Sequence, residues 1–332
     1  MNTRHLGASG PTVSEIGLGC MGMSGMYGPA DEHESIATIH EAIDHGITLL
    51  DTGDFYGMGH NEMLIGRAIA GKRDKVLLSV KFGAMRSPSG AWIGFDSRPA
   101  AAKNFLAYSL RRLGVDHIDI YRPSRLDPTV PVEETVGAIA ELIKEGYVRY
   151  IGLSEISAET ARRATAVHPI SDLQIEYSLV SRGIETNILP ALRQMKIGVT
   201  AYGVLSRGLL SGSKIAASND IRSYFPRFTA DNMRQNARLT ETLNHLAKEH
   251  SVTGLQLAIT WVLHQGADIV PLMGSRTPKQ LHEALGALQV KLSAEELKRI
   301  AEAVPAESVA GTRYDARQMA MLDSERAAKA TP

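Results

Sequence analysis

Short apolar runs and longer amphipathic runs alternate along almost the whole chain. The short runs lack polar alternation, which is typical of parallel strands that are covered on both faces. The longer runs repeat apolar residues with the period of a helix. We predict strands at 16–19, 47–51, 76–81, 117–121, 149–153, 172–176, 197–201 and 268–272. We predict helices at 32–45, 60–70, 99–113, 132–145, 157–167, 185–195, 232–249 with 254–264, and 278–286.

The order of these elements predicts the fold class. Strict alternation of strand and helix indicates βαβ units, and eight such units in 332 residues favour a closed (β/α)8 TIM barrel. The alternative is a doubly wound open sheet. We expect a single barrel domain over residues 1–303 and a C-terminal tail over 304–332 that frays after residue 322. The long stretch 83–98 is either a surface excursion or a cover for a site, which Trp92 and Phe95 would line.

The composition of the chain limits the kinds of partner molecule and site that we expect. Lys and Arg number 36 and Asp and Glu number 36, so the balanced charge gives no reason to expect nucleic acid, a membrane surface or a polyanion. Cys20 is the only cysteine, which excludes an intrachain disulfide and fits a reducing cytoplasm. The chain begins without the apolar stretch of a signal peptide, and no apolar run is long enough to span a bilayer. The scattered histidines predict no metal site, and the sequence does not indicate an oligomeric state.

Polar residues stand where several predicted strands end, and ligands of such barrels bind at the carboxyl ends of the strands. Asp51 and Tyr56 follow one strand, and Lys81 ends the next. A nearby ammonium lowers the pKa of a phenol, and a carboxylate holds the ammonium in place. Together the three groups predict a general acid for a carbonyl oxygen. The alternative is an ordinary ion pair at neighbouring strand ends.

Seven motifs, in this order and spacing, resemble those of the aldo/keto reductase superfamily from about residue 1 to residue 300. They are Leu-Gly-Cys-Met-Gly at 18–22, Leu-Asp-Thr-Gly-Asp-Phe-Tyr-Gly at 50–57, Ser-Val-Lys-Phe-Gly at 79–83, Ile-Gly-Leu-Ser-Glu at 151–155, Leu-Gln-Ile-Glu-Tyr-Ser-Leu at 173–179, Thr-Ala-Tyr-Gly-Val-Leu-Ser-Arg-Gly-Leu-Leu at 200–210, and Val-Pro-Leu-Met-Gly-Ser-Arg-Thr at 270–277. The resemblance implies a barrel that binds NADPH and passes hydride to an aldehyde or ketone.

The resemblance also implies catalytic roles. Tyr56 would donate the proton, Lys81 would lower the pKa of Tyr56, and Asp51 would orient Lys81. The family's fourth catalytic residue is a histidine, but here Ser124 stands in that register, within Asp-Ile-Tyr-Arg-Pro-Ser-Arg-Leu-Asp-Pro at 119–128. A serine hydroxyl can donate a hydrogen bond but cannot carry the charge of an imidazolium. A bridging water, or a charge from Arg122 or Arg125 if either points into the barrel, would fill the gap.

The cofactor positions follow from the same resemblance. Ser154 and Gln174 would hold the nicotinamide carboxamide, and Tyr202 would stack on the ring. The loop from Gly203 to Leu209 would pass over the pyrophosphate. The remaining cofactor residues implied are Gly203, Leu205, Arg207, Gly208, Ser275, Arg276, Gln280 and Glu283. A guanidinium suits a dianionic phosphate, so Ser275 and Arg276 favour NADPH over NADH through the adenosine 2′-phosphate.

The leading hypothesis is an NADPH-dependent reductase of small or medium carbonyl compounds. A second is an NADPH-binding sensor or regulatory subunit with little turnover, which the missing histidine would suit. A third is a barrel hydrolase or isomerase that works with paired carboxylates, and it predicts no nucleotide binding.

Overall fold

The computed structural model describes residues 1–213, 215 and 220–326. Its centre is a closed barrel of eight parallel strands, so the predicted fold class is confirmed. The strands are β1 (Thr3–His5), β2 (Thr12–Ser14), β3 (Gly17–Gly19), β4 (Leu49–Gly53), β5 (Leu77–Phe82), β6 (Ala84–Arg86), β7 (Trp92–Phe95), β8 (Ile118–Pro123), β9 (Val148–Ser154), β10 (Asp172–Glu176), β11 (Gly198–Tyr202) and β12 (Ile269–Gly274). Around the barrel the order is β3-β4-β5-β8-β9-β10-β11-β12, with β12 pairing β3 and β9 pairing β10.

Helices follow the barrel strands and cover the outer face of the barrel. They are α1 (Glu32–Asp44), α2 (His60–Ala68), α3 (Pro99–Leu113), α4 (Val132–Lys144), α5 (Ala158–Val167), α6 (Ile188–Met195), α7 (Ala230–Glu249), α8 (Gly254–Leu263), α9 (Pro278–Leu285) and α10 (Ala294–Ala303), and a further short helix, α11 (Ala316–Met321), lies in the C-terminal tail. Asp31 caps α1 by accepting from the Glu34 N–H at 2.9 Å. Ser293 and Glu296 form a full capping box on α10. These local signals explain why the predicted helix starts lie within a few residues of the observed ones.

The inside of the barrel has two chemically different layers. Its amino-terminal part is apolar, and the hairpin β1–β2 closes it; the buried residues are Leu6, Val13, Leu49, Ile120, Val270 and Leu272. Nearer the carboxyl ends, buried polar side chains replace aliphatic ones; they include Asp51, Ser79, Lys81, Arg122, Asp172, Gln174 and Thr200. Barrel interiors are usually filled by branched aliphatic residues, so the polar layer needs a chemical reason.

The C-terminal tail folds back over the carboxyl end of the barrel. The Asp323 carboxylate accepts from the Ser157 N–H at 2.8 Å, and the Ser324 N–H donates to the Glu155 carbonyl at 3.2 Å. Residues 323–326 are therefore docked, which differs from the expected fraying after residue 322. The rest of that expectation falls on residues 327–332, which lie outside the described residues.

Candidate active site

Asp51 and Lys81 form a buried ion pair at the carboxyl ends of β4 and β5. The Lys81 Nζ lies 2.5 Å from the Asp51 Oδ1, and both side chains are almost fully excluded from solvent. The other carboxylate oxygen, Oδ2, accepts from the Ser79 Oγ at 2.8 Å and from the Gln174 Nε2 at 2.7 Å. Three donors therefore fix the Asp51 carboxylate, which in turn fixes the Lys81 ammonium.

Tyr56 lies against this pair. The Lys81 Nζ is 5.2 Å from the centroid of the Tyr56 ring, and the edge of Phe55 packs on that ring with centroids 4.7 Å apart. Tyr56 is 6 % exposed. The structure thus brings together the carboxylate, the phenol and the ammonium that the sequence singled out.

The acidity of the phenol differs from the expectation. Burial raises the pKa of Tyr56 well above its ordinary value, and the negative charge of Asp51 raises it further. Burial also lowers the pKa of the Lys81 ammonium, although Asp51 opposes that effect. The net pKa of Tyr56 is therefore raised and not lowered, because loss of hydration dominates, and the effect of Lys81 itself on that pKa stays a prediction. Tyr56 is held in its protonated form.

Ser124 directly follows β8 and is 3 % exposed. Its Oγ has no hydrogen-bond partner among the described residues, and Arg125 donates to its carbonyl at 2.6 Å. Arg125 also donates to the Tyr314 hydroxyl at 3.1 Å. Arg122, by contrast, points into the barrel and pairs with Asp172. Of the two arginines considered as sources of charge, Arg122 is the one that enters the barrel interior.

Gln174 and Ser154 differ in their side-chain hydrogen bonding. The Gln174 amide is used by Asp51, so its first role here is to fix that carboxylate. The Ser154 Oγ is buried without a hydrogen-bond partner in the part of the chain that the structure describes. A buried hydroxyl without a partner is unusual, and it marks a position where a ligand group can be bound.

Tyr202 ends β11 and its hydroxyl lies among tail residues. It donates to the Glu155 Oε1 at 2.7 Å and lies 3.0 Å from the Tyr314 hydroxyl. Arg313 donates to both Glu155 oxygens, at 2.8 and 2.6 Å. The sequence interpretation gave no role to Glu155 and missed Arg313 and Tyr314, because no local pattern marks contacts this distant along the chain.

Arg207, in the loop after β11, points toward buried residues. Arg207 approaches the Glu176 carboxylate at 3.2 Å, and its guanidinium carbon lies 4.5 Å from the centroid of the Tyr314 ring. Gly203 and Gly208 have φ values of 65° and 93°, which glycine adopts without strain. A Cβ on Gly203 would approach the Glu176 Cγ to 3.0 Å. Leu205 is partly buried in the same loop.

The residues expected around the adenosine phosphate lie at the start of α9. Ser275 is buried, and the Arg276 N–H donates to the Gln280 Oε1 at 3.0 Å. One amino group of the Arg276 guanidinium donates to the carbonyls of Tyr27 and Pro29, both at 3.1 Å. Gln280 and Glu283 are exposed.

The stretch 83–98 forms the antiparallel hairpin β6–β7. Trp92 on this hairpin packs on Phe55, with ring centroids 5.5 Å apart, and the Arg86 guanidinium carbon lies 3.4 Å from the Trp92 centroid. Because Phe55 packs on Tyr56, the hairpin borders the site. Phe95 is half-buried at the end of β7.

Two features are absent from the part of the chain that the structure describes. Among the described residues, no cluster of three or more His, Cys, Asp or Glu side chains could hold a metal ion. No helix within the described ranges has the length and apolar character needed to cross a membrane.

Comparisons with known proteins place the chain in a family. The profile of the Aldo/keto reductase family matches residues 15–305. A probable aldo-keto reductase from Glycine max is 43% identical over 314 residues, covering 93% of this chain and 90% of that protein. The structure of a glycerol dehydrogenase from Gluconobacter oxydans matches with a TM-score of 0.82 and 30% identity, covering 92% of this chain and 96% of that one. The holo form of an aldo-keto reductase from Bacillus halodurans matches with a TM-score of 0.77 and 29% identity, covering 92% and 97% of the two chains. The chain therefore belongs to the aldo/keto reductase family of oxidoreductases, which generally reduce carbonyl compounds with a nicotinamide cofactor.

Proposed function

We propose that the protein is an NADPH-dependent oxidoreductase that reduces aldehydes or ketones to alcohols, with Tyr56 as general acid. The observation that carries the proposal is the buried contact of Tyr56 with the Lys81–Asp51 pair at the carboxyl end of the barrel. A general acid must hold its proton until the substrate takes it. A phenol with its ordinary pKa of about 10 already has that property at neutral pH, and burial raises the pKa of Tyr56 further.

The chain's own residues would handle the proton. A nicotinamide cofactor, when bound, would supply a hydride to the carbonyl carbon. The Tyr56 hydroxyl gives its proton to the carbonyl oxygen, and the Lys81 ammonium faces the phenolate that remains. Asp51 keeps Lys81 in place, so the cation meets the new negative charge without rearrangement.

The residues present fit a nicotinamide cofactor. The Ser154 hydroxyl is buried and lacks a partner among the described residues, so it can bind an amide group. Tyr202 would offer its ring for stacking, and Gly208 lets the backbone of its loop approach a phosphate. Only one amino group of the Arg276 guanidinium bonds the protein in the described part of the chain, which supports a 2′-phosphate contact and hence NADPH.

The experiment is NADPH and NADH binding by fluorescence, followed by NADPH consumption with a panel of aldehydes, ketones and α-dicarbonyls. We expect tighter binding of NADPH and measurable turnover. Tyr56→Phe should retain cofactor binding and lose turnover by on the order of 100-fold or more, since only the proton donor is removed. Failure to bind either nucleotide, or equal turnover in Tyr56→Phe, would contradict the proposal.

A cofactor sensor with little turnover is the second candidate. Two observations favour it: Ser124 stands where the family has its histidine, and Arg313 fastens the tail over Glu155 beside Tyr202. A sensor would bind NADPH and consume none of it with any member of the panel. Turnover therefore separates the two functions.

A further inference from the structure

Arg122 and Asp172 form a fully buried ion pair inside the barrel, directly beneath the candidate catalytic groups. Both side chains have no exposed surface. The two guanidinium amino groups donate to the two Asp172 oxygens at 2.8 and 3.2 Å. We call these two residues the buried pair. It belongs to the polar layer that replaces the usual aliphatic filling of a barrel.

Stability alone does not explain the buried pair. Removing two charges from water costs about as much free energy as their attraction returns, and apolar replacements of such pairs are often neutral or stabilising. The neighbouring backbone is also shaped around it: a Cβ on Gly152 would lie 2.8 Å from the Arg122 Cζ. The position of the pair beneath the site indicates a role in the chemistry instead.

The buried pair is connected to Asp51 through one hydroxyl. The second amino group of Arg122 donates to the Ser79 Oγ at 3.1 Å, and the Ser79 hydroxyl donates to the Asp51 Oδ2 at 2.8 Å. Arginine can only donate. The Arg122 contact therefore occupies a lone pair of the Ser79 oxygen and leaves its proton free to point at Asp51. The Asp51 carboxylate can only accept, so Ser79 donates to it in any case, and the contact with Arg122 holds the Ser79 oxygen in place without competing for that proton.

The positive pole of the buried pair also lies nearer to Lys81 than its negative pole. Lys81 and Arg122 are register partners on the adjacent strands β5 and β8. Asp172 lies on β10, which is separated from β8 by β9. The charge of Arg122 lowers the pKa of Lys81, after burial and against Asp51. The titratable or charged groups facing Lys81 from neighbouring elements are Asp51, Tyr56, Cys20 and Arg122.

We propose that Arg122, held by Asp172, is a positioning residue for the reaction: it holds the Ser79 oxygen in place beside Asp51 and sets a fixed cation beside Lys81. The inference rests on the proposed function, because it assigns Arg122 to the same proton-donating group. It also gives this chain a buried positive charge next to the position where the family's histidine is replaced by Ser124.

The sharpest probe is Ser79→Ala, which cuts the connection and leaves the buried pair intact. We expect kcat to fall about tenfold at unchanged NADPH affinity, because the Asp51 carboxylate loses one of its three donors. Ser14→Ala is the matched control: that serine is equally buried, donates to the Ile16 carbonyl at 2.6 Å and lies on β2 at the opposite end of the barrel. It should change kcat by less than about twofold.

A double-mutant cycle identifies Arg122 as the source of the effect. Replacing the buried pair in Arg122→Leu/Asp172→Leu should lower kcat at least as much as Ser79→Ala does, and adding Ser79→Ala should cost nothing more. Removal of the positive pole should also move the alkaline limb of the pH–rate profile to higher pH. Additive losses, or a lower melting temperature with unmoved kinetics, would overturn the proposal and leave a structural pair.

Titration of Lys81 by NMR with isotope-labelled lysine tests the effect of the buried pair on Lys81 without an activity measurement. In the variant that lacks the buried pair, the Lys81 titration should move to higher pH. An unmoved titration would overturn the positioning role even if the wild-type protein reduces carbonyls. A moved titration in a protein without any turnover would overturn only the proposed function.

Discussion

Arg313 donates to both carboxylate oxygens of Glu155, at 2.8 and 2.6 Å, and so joins the tail to the end of β9 across 158 residues of chain. Burial alone would raise the pKa of Glu155, but the Arg313 guanidinium outweighs it and holds that pKa far below the ordinary range. The lowered pKa favours the charged carboxylate at neutral pH, and the tail is fastened by an ionic contact.

Arg313→Met should release the tail. The loss leaves Glu155 without its main partner, so we expect the free energy of unfolding to fall by about 3 kcal/mol. Hydrogen exchange followed by mass spectrometry should show faster exchange over residues 310–326. Arg317→Met is the control, since Arg317 is exposed on α11 in the same tail. Equal protection of the tail in both variants would contradict this role of Arg313.

Asp54 should make stability depend on pH in the unusual direction. Burial, and then the charge of Glu62, raise the pKa of Asp54 to about 7. Its folded pKa is above its unfolded value of about 4, so its contribution is complete below about pH 4 and is lost as the pH rises through 7. At 1.4 kcal/mol per unit, the loss reaches about 4 kcal/mol.

Asp54→Asn keeps the neutral state at every pH and should flatten this dependence. Urea unfolding should find the variant already somewhat more stable than the wild type at about pH 5, and the difference should grow to its full size at about pH 8. Asp44→Asn, at the exposed end of α1, is the control and should follow the wild type. A variant with the wild-type slope would show that Asp54 is ionised in the folded protein.

Tyr56 should keep carbonyl reduction insensitive to mild alkali. Since its pKa is raised well above 10, the proton is present throughout the neutral and weakly alkaline range. We expect kcat for reduction to stay level up to about pH 9, while the reverse oxidation, which needs the phenolate, rises with pH. A fall in reductive kcat near neutral pH would indicate a different proton donor, and Tyr56→Phe provides the baseline.

Ser124→Ala should lower activity without lowering stability. The Ser124 Oγ has no partner among the described residues, so its removal should leave the free energy of unfolding within about 0.5 kcal/mol of the wild type. If the hydroxyl binds the carbonyl oxygen, kcat/KM should fall about tenfold. In Ser35→Ala, which loses a bond to the Asp31 carbonyl at 2.7 Å, we expect the opposite pattern of lower stability and unchanged kcat/KM. An unchanged kcat/KM in Ser124→Ala would remove this residue from the site.

The sequence predicted the eight barrel strands and the helices that follow them, and it missed the β1–β2 and β6–β7 hairpins and the distant contacts of the tail. The strands that carry Asp51 and Lys81 were predicted from their apolar runs. The parallel barrel then brings the ends of these two strands together. Arg313 and Tyr314 lie in a tail rich in alanine and charge, where nothing local indicates docking. The prediction of a lowered pKa for Tyr56 was also wrong. A sequence shows which charges lie near a phenol, but it does not show how much hydration the phenol loses on burial.

The buried pair has a consequence for the evolution of the barrel. An arginine at position 122 needs an acid at 172 to balance its charge and a residue without a Cβ at 152 to leave it room. With Arg122 in place, a neutral residue at 172 would leave a lone buried charge, and a side chain at 152 would press on the Arg122 guanidinium. Among relatives, these three positions should therefore vary as a set, so that chains with an apolar residue at 122 are free to carry side chains at 152 and neutral residues at 172.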